Sequence, residues 1–170
     1  MKRIIFGFLL FGIAVVSIMF GGLCFPIVLG FACYLGGGEF VTMAKAKGFK
    51  PSPRIVKGMI VAFFAMAALP ELVKPFKLEG MEAYPLEHYP LLLTVGICAS
   101  FFRLLFRNEK PPATIADIAT TILGFIYVGF LPSHLILLRN IGAEKISDPL
   151  QQPGLAYVWV CLFIIWATDV

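Results

Sequence analysis

Apolar residues fill this chain in long runs, separated by short segments that gather glycine, proline and charge. The first run, Ile4 to Leu35, is nearly unbroken. As one helix it would be about 48 Å long at about 1.5 Å per residue, against a hydrocarbon core about 30 Å thick. Two spans joined by a turn fit better, and Gly21, Gly22 and Pro26 supply the break. The pattern therefore predicts a tight helical hairpin over 4–20 and 25–44. A basic segment from Lys45 to Arg54 follows, and then a short third span over 55–69. The stretch Pro70 to Tyr89 holds three prolines and Glu71, Glu79, Glu82 and Glu87, and reads as a loop. A fourth span covers 90–106 and is closed by Arg107, Lys110, Pro111 and Pro112. A fifth covers 113–131, where Pro132 and Ser133 interrupt it before a short apolar continuation over Leu135–Leu138. A polar loop from Arg139 to Pro153 leads to a sixth apolar stretch, 155–170. The expected fold is an all-α, polytopic transmembrane helical bundle of about six spans in one membrane domain over 1–170, without internal repeats.

Composition agrees with that pattern. Hydrophobic residues make up 59% of the chain, charged residues 14%, and the mean hydropathy is +0.90. Soluble domains carry about 25% charged residues. Met1, Lys2 and Arg3 before the first run imitate a signal peptide. The apolar region is too long for one, however, and no small-residue cleavage site follows it. The net charge of +4 is not gathered on one polar segment, which argues against a nucleic-acid partner. The partner it implies is the lipid bilayer, with the protein a multi-pass component of the cell membrane. Cys24, Cys33, Cys98 and Cys161 all lie in apolar runs and form no C-x-x-C pair, so they read as small buried side chains.

Charge sets the orientation. With the N-terminus in the cytoplasm, the inner side holds Lys2, Arg3, Lys45, Lys47, Lys50, Arg54, Lys57, Arg103, Arg107 and Lys110. The outer side holds Lys74, Lys77, Arg139 and Lys145. Ten positive residues against four is the asymmetry of a cytoplasmic N-terminus. Six spans then return the end of the last one to the cytoplasmic side.

Several polar residues are candidates for chemistry. Asp169 follows Trp166 and Thr168 in a nearly continuous apolar run, where a carboxylate is costly. It is either a site residue or the end of a helix. Arg103 and Arg107 lie one turn apart and could hold a lipid phosphate or snorkel to the interface. Glu39 follows Gly36, Gly37 and Gly38. It reads as an interfacial carboxylate or a cation contact, and the glycines as a place where helices approach closely rather than a phosphate loop. Thr114 and Asp117 have the T-x-x-D form of a capping box, with catalysis as the alternative for Asp117. His88 and His134 lack a second ligand at helical spacing, which argues against a metal role.

Two stretches carry a family resemblance. The run from Thr121 to Arg139, T-I-L-G-F-I-Y-V-G-F-L-P-S-H-L-I-L-L-R, resembles the T-x-L-G-x-x-Y-V-x-x-L-P-S run of the phosphatidate cytidylyltransferase (CDP-diacylglycerol synthase) family, which also ends in L-R. Trp166-Ala167-Thr168-Asp169 resembles the start of that family's W-x-x-D-[TSI]-x-A-Y segment, although Val170 departs from the usual Thr or Ser. The early apolar hairpin closing in Glu39 and Phe40 is also similar.

The resemblance implies a membrane nucleotidyltransferase of phospholipid biosynthesis. Its substrates would be CTP and phosphatidate, its products CDP-diacylglycerol and pyrophosphate, and its cofactor Mg²⁺ (magnesium). Asp169 becomes the expected catalytic and metal-binding residue, with Arg103 and Arg107 as weak substrate-binding candidates. A homodimer is compatible with such an enzyme. The family's later signature, rich in Lys, Asp, Gly and His, does not occur here. The chain is therefore expected to be the N-terminal part of such an enzyme, inactive alone, with the metal partners of Asp169 beyond Val170. A transporter or channel subunit, a CTP-dependent lipid-alcohol kinase and a non-catalytic assembly partner are the alternatives.

Overall fold

The computed structural model describes residues 2–73, 84–106, 114–143, 146 and 148–168. Its regular elements are helices α1 (Lys2–Phe20), α2 (Cys24–Ala46), α3 (Pro53–Val73), α4 (Tyr84–Leu105) and α5 (Ile115–Phe125). A π-helical turn, Ile126–Phe130, joins α5 to α6 (Leu131–Arg139), and α7 (Pro153–Thr168) follows. There is no strand among the described residues, and the protein is an all-α, polytopic bundle. Among the described residues, four helical stretches are long and apolar enough to cross a membrane: Cys24–Ala46, Pro53–Val73, Leu86–Leu105 and Ile115–Arg139. The first and last apolar helices are shorter within the described residues, at Phe11–Phe20 and Pro153–Thr168.

The first hairpin turns where the glycines predict. Gly21 and Gly22 have φ of 61° and 54°, a left-handed conformation that glycine adopts without a Cβ penalty. Pro26 falls in the first turn of α2, where its missing N–H costs no helical bond.

Three proline boundaries move. The third span is longer than 55–69 and runs through Pro70 to Val73. The fourth begins before Pro90, at Tyr84. Within the expected loop over 70–89, residues 70–73 and 84–89 are helical. Pro132 does not interrupt the fifth span, which is one 25-residue stretch from Ile115 to Arg139. Water cannot satisfy freed backbone groups in a bilayer, so a chain there holds its helix through proline and adjusts it locally. Before Pro132 that adjustment is the π turn: the Leu131 N–H donates to the Ile126 carbonyl, five residues back.

Helix α3 is central. Val56, Ile60, Phe63 and Ala67 on it are fully buried. Glycines set its distance from its neighbours. A Cβ on Gly37 of α2 would strike the Ile60 side chain, and one on Gly129 would lie 3.1 Å from the Ile60 Cα. The glycine triplet is thus a close-packing feature, as its composition predicts. Facing pairs fix the directions. Gly30 meets Phe64 and Gly38 meets Lys57, so α2 and α3 are antiparallel. Tyr89 meets Phe63 and Gly96 meets Met59, so α4 also opposes α3. Val56 meets Gly124 and Ile60 meets Gly129, so the long span from Ile115 runs with α3. One end of the bundle therefore gathers the α2–α3 loop, the last turn of α4 and the first turn of α5.

Helix α7 begins at the other end, against the last turn of α6. A Cβ on Gly154 would clash with the Arg139 carbonyl oxygen and lie 2.6 Å from that of Leu138. Both obstacles are backbone and cannot rotate away. Gly154→Ala should lower stability by about 1–3 kcal/mol, the usual cost of overpacking. Thermal unfolding in detergent checks this, and an unchanged midpoint would show that α7 can shift freely.

Candidate functional site

Two buried polar arrangements stand at the two ends of the span from Ile115. At its start, Thr114 is the N-cap of α5 and Asp117 completes a capping box. The Thr114 N–H donates to Asp117 Oδ2 at 2.8 Å, and the Asp117 N–H donates to Thr114 Oγ1 at 3.3 Å. The carboxylate does more than cap. Its Oδ1 accepts the Lys50 backbone N–H at 2.6 Å, across 67 residues of sequence. One turn further on, Thr121 Oγ1 donates to the Asp117 carbonyl at 2.7 Å and accepts the Ser52 N–H at 3.0 Å. Asp117 and Thr121 thus clip the α2–α3 loop onto α5. Asp117 is 4% exposed, and its hydrogen bonds show the structural role that the T-x-x-D spacing predicts. The clip leaves Lys45, Lys47, Lys50 and Arg54 exposed on the loop and its flanks.

At the far end of the same span stands Arg139. The sequence places it at the start of a polar outer loop, but it is the last residue of α6 and only 1% exposed. Its Nε donates to the Ile18 carbonyl at 2.8 Å and its Nη2 to the Met19 carbonyl at 3.2 Å. Nη2 also reaches the Pro149 carbonyl at 3.0 Å, and Nη1 reaches Gln152 Oε1 at 2.7 Å. The guanidinium satisfies carbonyls that α1 leaves open at its C-terminus. Gly21 makes room for it: a Cβ there would lie 2.9 Å from Nη2. The signal for this was present, since an arginine closing an apolar run demands acceptors. The identity of those acceptors was not.

Glu39, Arg103 and His134, the other described candidates, lie on three different helices. Arg103 is exposed on the last turn of α4, and Arg107 and Asp169 lie outside the described residues. Glu39 is exposed on α2. His134 belongs to an aromatic cluster, its ring centroid 4.6 Å from Phe130 and 5.1 Å from Tyr89. Its Nδ1 lies 2.7 Å from the Phe130 carbonyl, and the Tyr89 hydroxyl donates to Ser133 Oγ at 3.0 Å. The four cysteines are unpaired thiols on three helices, and against expectation none is buried within the bundle: Cys24 and Cys98 are exposed, Cys33 and Cys161 half-buried. Among the described residues, no group of three or more His, Cys, Asp or Glu side chains could hold a metal ion. The residues that Mg²⁺ would require are thus not assembled there.

Known proteins locate this architecture. A curated relative from Synechocystis sp. (strain ATCC 27184 / PCC 6803 / Kazusa), named phosphatidate cytidylyltransferase, is 32% identical over 186 residues, covering 99% of this chain and 58% of its own length. A second, from Arabidopsis thaliana, is named phosphatidate cytidylyltransferase 4, chloroplastic; it is 26% identical and aligned over 95% of this chain and 38% of its own length. This chain therefore spans little more than half of the first relative's length and well under half of the second's. No solved structure matches it. The model of the cytidylyltransferase family matches residues 1–170, and with the two alignments it shows that the chain belongs to that family.

Proposed function

We propose that this chain serves a membrane nucleotidyltransferase that joins CTP to phosphatidate. In that reaction a phosphate oxygen of the lipid attacks the α-phosphorus of CTP. The bond to the β-phosphate breaks, and CDP-diacylglycerol and pyrophosphate result. The observation that carries the reading is the family match across residues 1–170, supported by a 32% identical relative of that name.

The bundle suits one part of the problem. Both substrates are anions, and one is held in the bilayer. The exposed lysines and arginine around the clipped loop give one end of the bundle a positive field that would concentrate such anions. Charge asymmetry puts this end in the cytoplasm of a cell-membrane protein, on the side that holds CTP. Magnesium would neutralise phosphate charge in such a reaction. The described residues offer no cradle for it, so no step is assigned to it here. Asp169 is the proposed catalytic and metal-binding residue, next to Thr168 at the end of α7, and α7 starts from the opposite, Arg139 end of the bundle.

A chimera tests the proposal: residues 1–170 joined to the C-terminal part of the Synechocystis relative. Incorporation of labelled CTP into lipid should depend on phosphatidate, and the 170-residue chain alone should show none. An inserted, stable chimera without incorporation would count against the reading, and turnover by residues 1–170 alone would overturn the division of labour. Asp169→Asn in the chimera should lower turnover tenfold or more, about 1.4 kcal/mol in barrier, at unchanged membrane levels. Full activity would return Asp169 to a helix-end role.

A further inference from the structure

We propose that the outer groove between α2 and α3 is a docking site for an anionic glycerophospholipid of the bilayer, with its phosphate held at Lys57. Unlike the other basic residues of this region, Lys57 lies inside an apolar run. It stands four residues past the start of α3, about 6 Å along the axis at about 1.5 Å per residue. That depth suits a headgroup rather than bulk water. Its ammonium is directed at an aromatic face and not at a carboxylate, lying 4.8 Å from the centroid of the Tyr34 ring on α2. Gly38 makes the space for it, because a Cβ there would lie 3.4 Å from Lys57 Cε and 3.5 Å from Nζ.

Tyr34 also lines a groove of about 340 Å³ that leads away from this cation. Ile27 and Gly30 form one wall with Tyr34, and Val61, Phe64 and Ala65 form the other. Ile27, Phe31 and Val61 are 66%, 65% and 54% exposed, so the groove opens sideways toward lipid. Seven residues separate Ile27 from Tyr34, about 10 Å of apolar trough. An apolar channel that ends at an ammonium without a carboxylate partner among the described residues matches one kind of molecule: an acyl chain joined to a phosphate. A soluble phosphate would leave the groove empty, and a neighbouring helix would strip water from Lys57 without giving it a counter-charge. The site is separate from Asp117 and independent of the proposed reaction.

The test is native mass spectrometry of the 170-residue chain with equimolar dioleoylphosphatidylglycerol and dioleoylphosphatidylcholine. The wild type should retain the phosphatidylglycerol in preference. Lys57→Gln should lower that preference about fivefold, the value of one lysine near an anionic surface, and Lys57→Arg should keep it. Ala65→Trp and Val61→Phe change lipid-exposed positions and fill the groove, so they should reduce retention of both lipids with an unchanged melting midpoint. Equal retention of the two lipids by the wild type would overturn the proposal. So would a Lys57→Gln protein with wild-type preference, or retention undiminished by both groove-filling variants.

Discussion

Arg139→Met unfolds far more readily than the parent protein: the expected loss is about 3–5 kcal/mol, the range for removing one partner from a buried charged arrangement. Methionine fills much of the volume but donates nothing. The Ile18, Met19 and Pro149 carbonyls and the Gln152 side chain would all lose a donor in a place that water does not readily reach. Two separate segments meet on this one side chain, so the damage spreads to the α1–α2 turn and to the start of α7. Arg139→Lys keeps the charge but not the planar fork, and should recover less than half of the loss. Chemical or thermal unfolding in detergent, followed by helical circular dichroism, measures both variants. An Arg139→Met protein that melts within a degree or two of the parent would mean that the carbonyls find other donors.

The second large effect is at the other end of the same span. Asp117→Ala should cost about 2–4 kcal/mol. Loss of the cap accounts for about 1 kcal/mol, and loss of the charge-assisted bond from the Lys50 N–H adds about 1.5–3 kcal/mol. Asp117→Asn has one acceptor oxygen for two backbone donors and should fall between. Amide hydrogen exchange localises the effect. Exchange at Lys50 should accelerate in Asp117→Ala, and exchange at Ser52 should accelerate in Thr121→Val, since each donor bonds one of these side chains. Unchanged protection at Lys50 in Asp117→Ala would show that the loop is held by packing alone.

These two residues also show how far the sequence could be read. The Thr114–Asp117 box is a contact between neighbours three positions apart, and local spacing reveals such contacts. The bond from Lys50 closes over 67 residues, and no local pattern specifies it. Arg139 was legible as a polar residue ending an apolar run and was placed on the wrong side of that boundary. Its acceptors come from parts of the chain that only the folded bundle brings together. Hydropathy revealed the helices because each must satisfy its own backbone in lipid. The same requirement explains the errors at Pro70, Pro90 and Pro132, where rules suited to water end a helix too early or start it too late. Lys57 counted only as one positive charge among ten, because its meaning depends on Tyr34 and Gly38 across the helix pair. The proposed chemistry was legible from family-like runs, not from an assembled site. Arg103 is exposed, and Arg107 and Asp169 lie outside the described residues.

Asp117 and Arg139 are 22 residues apart on one continuous helical stretch, about 33 Å at about 1.5 Å per residue. Each grips a loop at its own face of the bundle, so this stretch acts as a ruler between the two loops. Its length is close to a typical hydrocarbon thickness of about 30 Å. Sliding it to suit a thinner or thicker membrane would break one grip or the other. Hydrophobic mismatch must then be absorbed by tilting the whole bundle or by deforming the surrounding lipid.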